Sequence, residues 1–253
     1  NDDAYWHARL ADFKELKEAV DTRTFDSQLD LLQQRSWLIH WSLFLCFNKN
    51  FKDGRNFFID SFMKDHKYLQ VVYANCPHLL RYLCAAVTIT NRKSLVRELG
   101  KVVRHEENNF SDPLTQFSKA LILDVDLHEA QLHFDECKDA FAVDYFLKDF
   151  YPAYEEEARK KLFEAHCVIH NEIDIAMVAK KLGLSDQHEA EVWIVNLIRN
   201  AKLVAKIDSQ SHRINIFGRK QNVYQKILNK TDETSYKISS ILNNMQKKQK
   251  QKN

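Results

Sequence analysis

Turn-forming residues are scarce. Only four glycines and three prolines occur among 253 residues, too few for a sheet-rich fold whose corners call for Gly, Asn-Gly or Pro. No glycine-rich phosphate cradle is present, so the common nucleotide-binding motifs are excluded. Long apolar runs are missing as well: the longest, Trp37 to Phe47, is interrupted by His40 and Ser42 and falls far short of the ~20 residues that cross a bilayer. The first residues lack the basic-then-apolar pattern of a secretory signal. Cysteine is limited to five widely spaced residues, Cys46, Cys76, Cys84, Cys137 and Cys167. An odd number set mostly in apolar surroundings reads as reduced core thiols, as in a cytosolic or nuclear protein, and not as a disulfide frame.

What is there favours helices. With 45% hydrophobic residues the chain can bury a sizeable core. Its net charge of +2 is unevenly spread: residues 210–253 hold 10 Lys and Arg against 2 Asp and Glu, leaving −6 on residues 1–209. The chain opens at Asn1 without Met and ends in a Lys/Gln tail, the expectation for a fragment of something longer.

Apolar residues recur at helical spacing along the first two thirds. Between Ser27 and Cys46, the positions Leu29, Leu32, Trp37, Trp41, Phe44 and Leu45 predict a core helix buried on several faces. Asp53 to Asn75 reads as one further helix. Pro77 stands where an N1 proline opens a helix to Thr90, and Ser111-Asp112-Pro113 repeats that start signal with Asp112 as N-cap. Other helices are predicted over Ala4–Val20, Arg92–Glu107, Leu127–Val143 and Tyr154–His170. Successive helices of this length with short connections make a solenoid of antiparallel pairs, whose repeats are degenerate because no tetratricopeptide consensus is present.

The pattern then changes. Asn171–Lys181 reads as a short helix with Ile175, Val178, Ala179 and Leu182 inward, Gly183 as a left-handed stop, and Ser185 or Asp186 as the cap of a second helix to about Leu203. That helix has Ala190, Trp193, Ile194, Leu197, Ile198 and Ala201 on its inner side. Leu203, Ala205 and Ile207 alternate, Ser209–His212 turn, and Ile214 and Ile216 alternate back. A helix-turn-helix followed by a β-hairpin is a winged helix, with Arg213–Phe217 expected as the outer strand. From Asn222 a last helix places Tyr224, Ile227, Thr231, Thr234, Ile238, Ile241 and Met245 at alternating three-four spacing, the seam of a bundle.

Candidate chemistry is thin. His166-Cys167 and His170 share a helix face at zinc-ligand spacing, but no Glu follows His166 and no third ligand stands nearby. Glu155-Glu156-Glu157 beside Arg159-Lys160-Lys161 reads as a solvated face of i,i+4 pairs before it reads as paired catalytic carboxylates. His40, Trp37, Trp41 and Trp193 read as packed core residues. No catalytic, cofactor or metal residue is therefore assigned. A winged helix can read DNA, but Asp186–Asn200 carries Asp186, Glu189 and Glu191 against Arg199, a local −2 that a polyanion repels. Lys247, Lys248, Lys250 and Lys252 fit a solvated tail better than an RNA contact, weak contact being the alternative.

A solenoid running into a winged helix and a last helix resembles the PCI family of proteasome-lid, signalosome and initiation-factor subunits. Leu31–Asn48, Cys76–Val87 and Ala190–Ser209 are similar to the e-subunit family of eukaryotic translation initiation factor three, and Ala205-Lys206-Ile207-Asp208 lies in the more general PCI signature. Val204 departs from it, standing where an acidic residue is expected. The similarity covers essentially the whole chain, with family members extending further at the N-terminus.

The resemblance implies a mainly α fold: a solenoid over 1–153, the winged-helix part of a PCI domain over 154–220, a bundle helix over 221–246 and a basic tail over 247–253. It implies a non-catalytic cytoplasmic scaffold, with a nuclear pool allowed. Expected partners are subunits c, d and l, the small ribosomal subunit and the initiation factor four G scaffold, with mRNA or rRNA met indirectly. No cofactor, small-molecule substrate or membrane is expected. Proteasome-lid or signalosome membership is the alternative. Related complexes hold zinc isopeptidases built on His-x-His, and this chain has no His-x-His. The subunit interface expected from this reading is Arg213, Ile214, Asn215, Ile216 and Phe217 in the wing, with Ile238, Ile241 and Met245 in the last helix.

Overall fold

A computed structural model of the chain describes residues 2–25, 27–170, 172–174, 187–200, 204–208, 213–217, 224, 227–228, 230–232 and 234–239. They divide into two units, Asn1–Ile169 and His170–Asn253.

The first unit is built of helices whose starts are chemically marked. Helix α1 spans Asp2–Thr22 and α2 Gln28–Cys46, the latter opened by the Ser27 hydroxyl, which accepts from the Leu29 N–H at 3.2 Å. The single helix expected over 53–75 is two, α3 Lys52–Phe62 and α4 His66–Asn75. Asp65 makes the break: its backbone is extended and its carboxylate accepts from the Lys67 N–H at 3.1 Å, capping a new start. All three prolines stand at helix entries, where a missing N–H costs nothing. Pro77 begins a 3₁₀ turn feeding α5 (Leu80–Ile89), Pro113 begins α7 (Pro113–Lys119), and Pro152 is the second residue of α9 (Tyr151–Ile169). Between them lie α6 (Lys93–Glu106) and α8 (Leu127–Val143), the latter capped by Asp126, which accepts from His128 and Glu129. Helix α7 passes directly into a π turn, Ala120–Asp124, closed by Val125 in the left-handed region at φ 53°.

Rings dominate the core: Phe51, Phe58, Phe62, Tyr68, Phe117, Phe141, Tyr154 and Phe163 are fully buried. The backbone of α3 lies directly on the end of α2, because a Cβ on Gly54 would stand 2.8 Å from Cys46 Cα. Expectation fails on α2. Its inward face is Leu38, Ile39, Ser42, Leu43, Leu45 and Cys46, while Trp37, Trp41 and Phe44 are 57, 60 and 59% exposed and Leu29 is exposed too. A helix contacting neighbours through one stripe cannot bury the opposite stripe, however apolar its residues are. The five cysteines are free and buried, and burial pushes the thiols of Cys84, Cys137 and Cys167 up to about 12.

Charges join what the rings do not. Arg81 on α5 grips Asp112 with two hydrogen bonds, Nε to Oδ2 at 3.0 Å and Nη2 to Oδ1 at 2.6 Å, and reaches Asp144 with Nη1 at 3.3 Å. Asp112 begins α7 in a capping box, its N–H donating to the Thr115 hydroxyl at 2.9 Å. Asp144 ends α8, accepts from the Phe146 and Leu147 N–H groups, and takes the Tyr82 hydroxyl at 2.8 Å. One guanidinium thus fixes the start of α7 and the end of α8 against α5. At the other end of the stack, Arg35 of α2 and Asp21 of α1 meet at 2.8 Å while Lys17 of α1 reaches Asp65 at 3.0 Å.

The expected division at residue 154 gives way to one after Ile169, since Tyr154, Ala158, Leu162 and Phe163 of α9 are buried in the helical stack against α5 and α8. In the second unit, β1 (Glu172–Asp174) occupies the start of a segment expected to be helical, and the rest of that helix, with Gly183, Ser185 and Asp186, lies outside the described residues. Helix α10 (Gln187–Asn200) follows, then β2 (Val204–Asp208) and β3 (Arg213–Phe217). The sheet is antiparallel with order β1-β3-β2. Ile173 stands opposite Ile214, and both are buried, as are Ile194 and Leu197 of α10. Trp193 is half-buried. The fold is a helical solenoid followed by a winged helix.

Replacing Arg81 with Met leaves two buried carboxylates without their cation. Removing one partner of a buried pair costs about 3–5 kcal/mol. Because 29% of the Arg81 side chain meets solvent, screening lowers the expected loss to about 2–3 kcal/mol in urea unfolding. Tyr82→Phe, which removes one hydrogen bond, should cost about 0.5–1.5 kcal/mol. Equal losses for the two variants would show that Arg81 does not clamp the helix ends.

Candidate interaction surfaces

The wing residues singled out from sequence do meet in one place, but not at an edge. β3 is the central strand, pairing with β1 through Glu172↔Asn215, Ile173↔Ile214 and Asp174↔Arg213, and with β2 from Val204↔Phe217 to Asp208↔Arg213. The expected outer strand is therefore a correction: among the described residues the edges are β1 and β2. Glu172-Ile173-Asp174 has one apolar residue between two acids, too short a pattern to announce a strand. Of the five wing positions, Arg213 is exposed with Nη1 3.8 Å from Glu172 Oε2, Asn215 is half-buried, and Ile214 is core.

Of the last helix expected over 221–246, only residues 224, 227–228, 230–232 and 234–239 are described. Described residues from Tyr224 to Ser239 are helical, and every one of them is exposed, including Tyr224, Ile227, Leu228, Tyr236 and Ile238. Leu228 and Tyr236 widen the apolar face beyond the predicted seam. Thr231 and Thr234 donate their hydroxyls to the carbonyls four residues back, at 2.8 and 2.6 Å. Their polar atoms are satisfied inside the helix, so they can lie in an apolar seam without a further partner. Ile241, Met245 and the lysines Lys247, Lys248, Lys250 and Lys252 lie outside the described residues.

A third surface went unpredicted. Trp37, Trp41 and Phe44 follow one another at four and three residues along the outer stripe of α2, and Trp41 and Phe44 border a groove of about 430 Å³ shared with Tyr5, Phe13 and Leu16 of α1. Phe44 meets Phe146 edge-on at 4.9 Å. The spacing was legible; its outward direction was not.

The suggested metal and catalytic residues do not converge. His166 and Cys167 are buried, His170 lies exposed past the end of α9, and among the described residues no group of three His, Cys, Asp or Glu could hold a metal. His40 is half-buried, its Nδ1 2.7 Å from the Ser36 carbonyl and its Nε2 2.9 Å from Nε2 of His78. In the charged block of α9, Arg159 pairs with Glu155 at 2.8 Å and Lys160 with Glu156 and Glu157 at 2.7 and 2.9 Å, as the spacing implied. Lys161 turns inward instead.

In this chain a helical stack is followed by a winged helix, and the PCI domain family matches residues 114–217. The match to that family covers this stretch, and over nearly its whole length the chain is similar to the E subunit of eukaryotic translation initiation factor 3. It is 38% identical over 249 residues to the E-1 subunit of that factor from Drosophila willistoni, and 37% identical to the E subunits from Drosophila ananassae and Drosophila virilis. Each alignment covers 98% of this chain and 56% of the relative, so the chain spans little more than half the length of these relatives.

Two outcomes follow from the geometry. Because β3 is bonded on both sides, Asn215→Pro removes an interior ladder bond and should open the second unit, read as loss of amide-exchange protection in Ile173, Ile194 and Ile214. Retained protection would mean that the strand order is wrong. The second concerns the His40–His78 pair. Burial, then the neighbouring His40 and Arg81 charges, hold His78 below its ordinary 6.5. The unfolded chain thus takes up this proton at a higher pH than the folded one, so the contribution is full above 6.5 and is lost as pH falls through the folded value. The urea midpoint of His78→Gln should drop less between pH 7.5 and 5.5 than that of the wild type; an equal or larger drop would rule the pair out as the source.

Proposed function

We propose that the chain is a non-catalytic scaffold segment of the initiation factor three complex, joining other PCI subunits and supporting recruitment of mRNA and the small ribosomal subunit. The observation that carries this reading is the 37–38% identity to the E subunits over 98% of the chain. It is supported by the sequence of α10, where Glu189 and Glu191 stand against Arg199, a poor charge balance for reading DNA, and by the exposed apolar residues after the wing. No helix is long and apolar enough to cross a membrane among the described residues; the cytoplasmic site of action is proposed from the similarity to the E subunits. The wing edges and the last helix are the proposed assembly surfaces, with Arg213–Phe217 contributing as the strand that holds the edges in place. Ile238, Ile241 and Met245 are proposed to enter a bundle of partner helices. Subunits c, d and l are the proposed neighbours, and initiation factor four G the proposed link to the cap-binding machinery.

Mass spectrometry of proteins retained by the tagged chain separates the alternatives, since initiation-factor, proteasome-lid and signalosome subunits are disjoint sets. Recovery of lid or signalosome subunits in place of initiation-factor subunits would overturn the reading. Ile227→Asp with Ile238→Asp should release the chain from the complex in sedimentation while leaving its thermal melt unchanged, because both side chains are exposed. Each apolar side chain buried in such a bundle would contribute roughly 1.5–3 kcal/mol. Wild-type co-migration of this double variant would show that the helix is not an assembly element.

A further inference from the structure

A cleft of about 420 Å³ opens in the first unit between α5, α6, the π turn after α7 and α9. Val87, Leu99, Phe117, Leu121 and Ile122 give it apolar walls. Its charged residues are Lys93, Arg97, Lys161 and Glu164. Lys161 differs from its neighbours on α9: instead of lying along the solvated face, its ammonium enters the cleft and donates to the Val87 carbonyl at 3.2 Å. That contact satisfies a carbonyl in the last turn of α5 and uses one of three N–H donors.

The two acids whose charge reaches Lys161, Glu157 and Glu164, are each bonded to another lysine, and their pull only partly offsets the burial. Glu164 is paired with Lys93 at 2.9 Å and Glu157 with Lys160 at 2.9 Å. Among the described residues neither Lys161 nor Arg97 has a carboxylate within ion-pair distance. Burial accordingly holds Lys161 down to about 8, where it is still largely protonated at neutral pH. The wall opposite is unusual backbone. The π turn Ala120–Asp124 ends at Val125 in the left-handed region, which a β-branched residue rarely adopts. Gly100 lets that turn lie against α6, since a Cβ there would come within 3.0 Å of Ile122 and 3.1 Å of Leu123. Single π turns and such strained residues concentrate at functional sites.

We propose that this cleft is a docking site for a partner-protein segment that presents a large apolar side chain next to a carboxylate. The apolar walls take the side chain, and Lys161 and Arg97 meet the acid. The volume suits one or two large side chains. At the rim Val168 is exposed and apolar, continuing the surface beyond the enclosed volume. That the occupant is a protein rests on the scaffold reading.

The test uses the full chain and three probes: a labelled Gly/Ser-flanked peptide with a central Phe-Asp, the same peptide with Phe-Asn, and 3-phenylpropionate. The Phe-Asp peptide should shift the amide resonances of Val87, Leu99 and Ile122 and bind at least tenfold more tightly than Phe-Asn. Lys161→Met and Arg97→Ala should each weaken it several-fold or more; Arg97 is an exposed rim residue, so its variant keeps the test valid where Lys161→Met unfolds. Equal binding of the two peptides, or shifts confined to other regions, would overturn the proposal. Binding of 3-phenylpropionate as tight as the peptide would mean a small-molecule carboxylate site and equally overturn it. A wild-type chain that retains no initiation-factor subunit would sink the scaffold reading alone, leaving the peptide result to stand by itself.

Discussion

Two buried carboxylates share one guanidinium, and the order of the helical stack depends on it. Asp112 and Asp144 sit at opposite helix ends, each already answering backbone N–H groups, and Arg81 supplies the positive charge both need. Apolar contacts alone are non-directional and would let α7 and α8 slide along α5. A bidentate grip at one end and a hydroxyl from Tyr82 at the other define position and angle. The aromatic core then closes around a frame whose register is set by polar geometry.

Much of this frame was legible. Pro77 and Pro113, with Asp112 before the second, marked helix starts correctly, because capping chemistry is local and a few residues contain all of it; the cap at Asp65 and the entry at Pro152 were passed over. What else escaped was direction and partnership. Trp37 and Trp41 looked like core anchors, since hydrophobicity says which residues favour burial and not which side of a helix has neighbours. The β3 strand looked like an edge because alternation identifies a strand without ordering it among others. Lys161 looked solvated because its spacing to Glu157 satisfied the pairing rule, while the structure bonds that acid to Lys160.

These failures fall on surfaces more than on the core. A stacked helical repeat buries its inner faces by its own repetition, and its outer stripes are free to carry residues that the isolated chain does not require. The exposed rings of α2 and the exposed apolar residues between Tyr224 and Ile238 are of this kind. The similarity to the E subunits and the exposed apolar residues on α2 and after the wing are the two observations on which the proposed scaffold role rests.

The central placement of β3 bears on how the chain is made. Neighbouring helices of the stack contact one another soon after they emerge, so the first unit can gather itself progressively during synthesis. The sheet cannot. Glu172–Asp174 has no described strand to pair with until Arg213–Phe217 has been added some forty residues later, and β2 must wait for the same strand. The last-made strand is the one that joins the other two, so the second unit forms in a single late step, with the helical stack already standing before it.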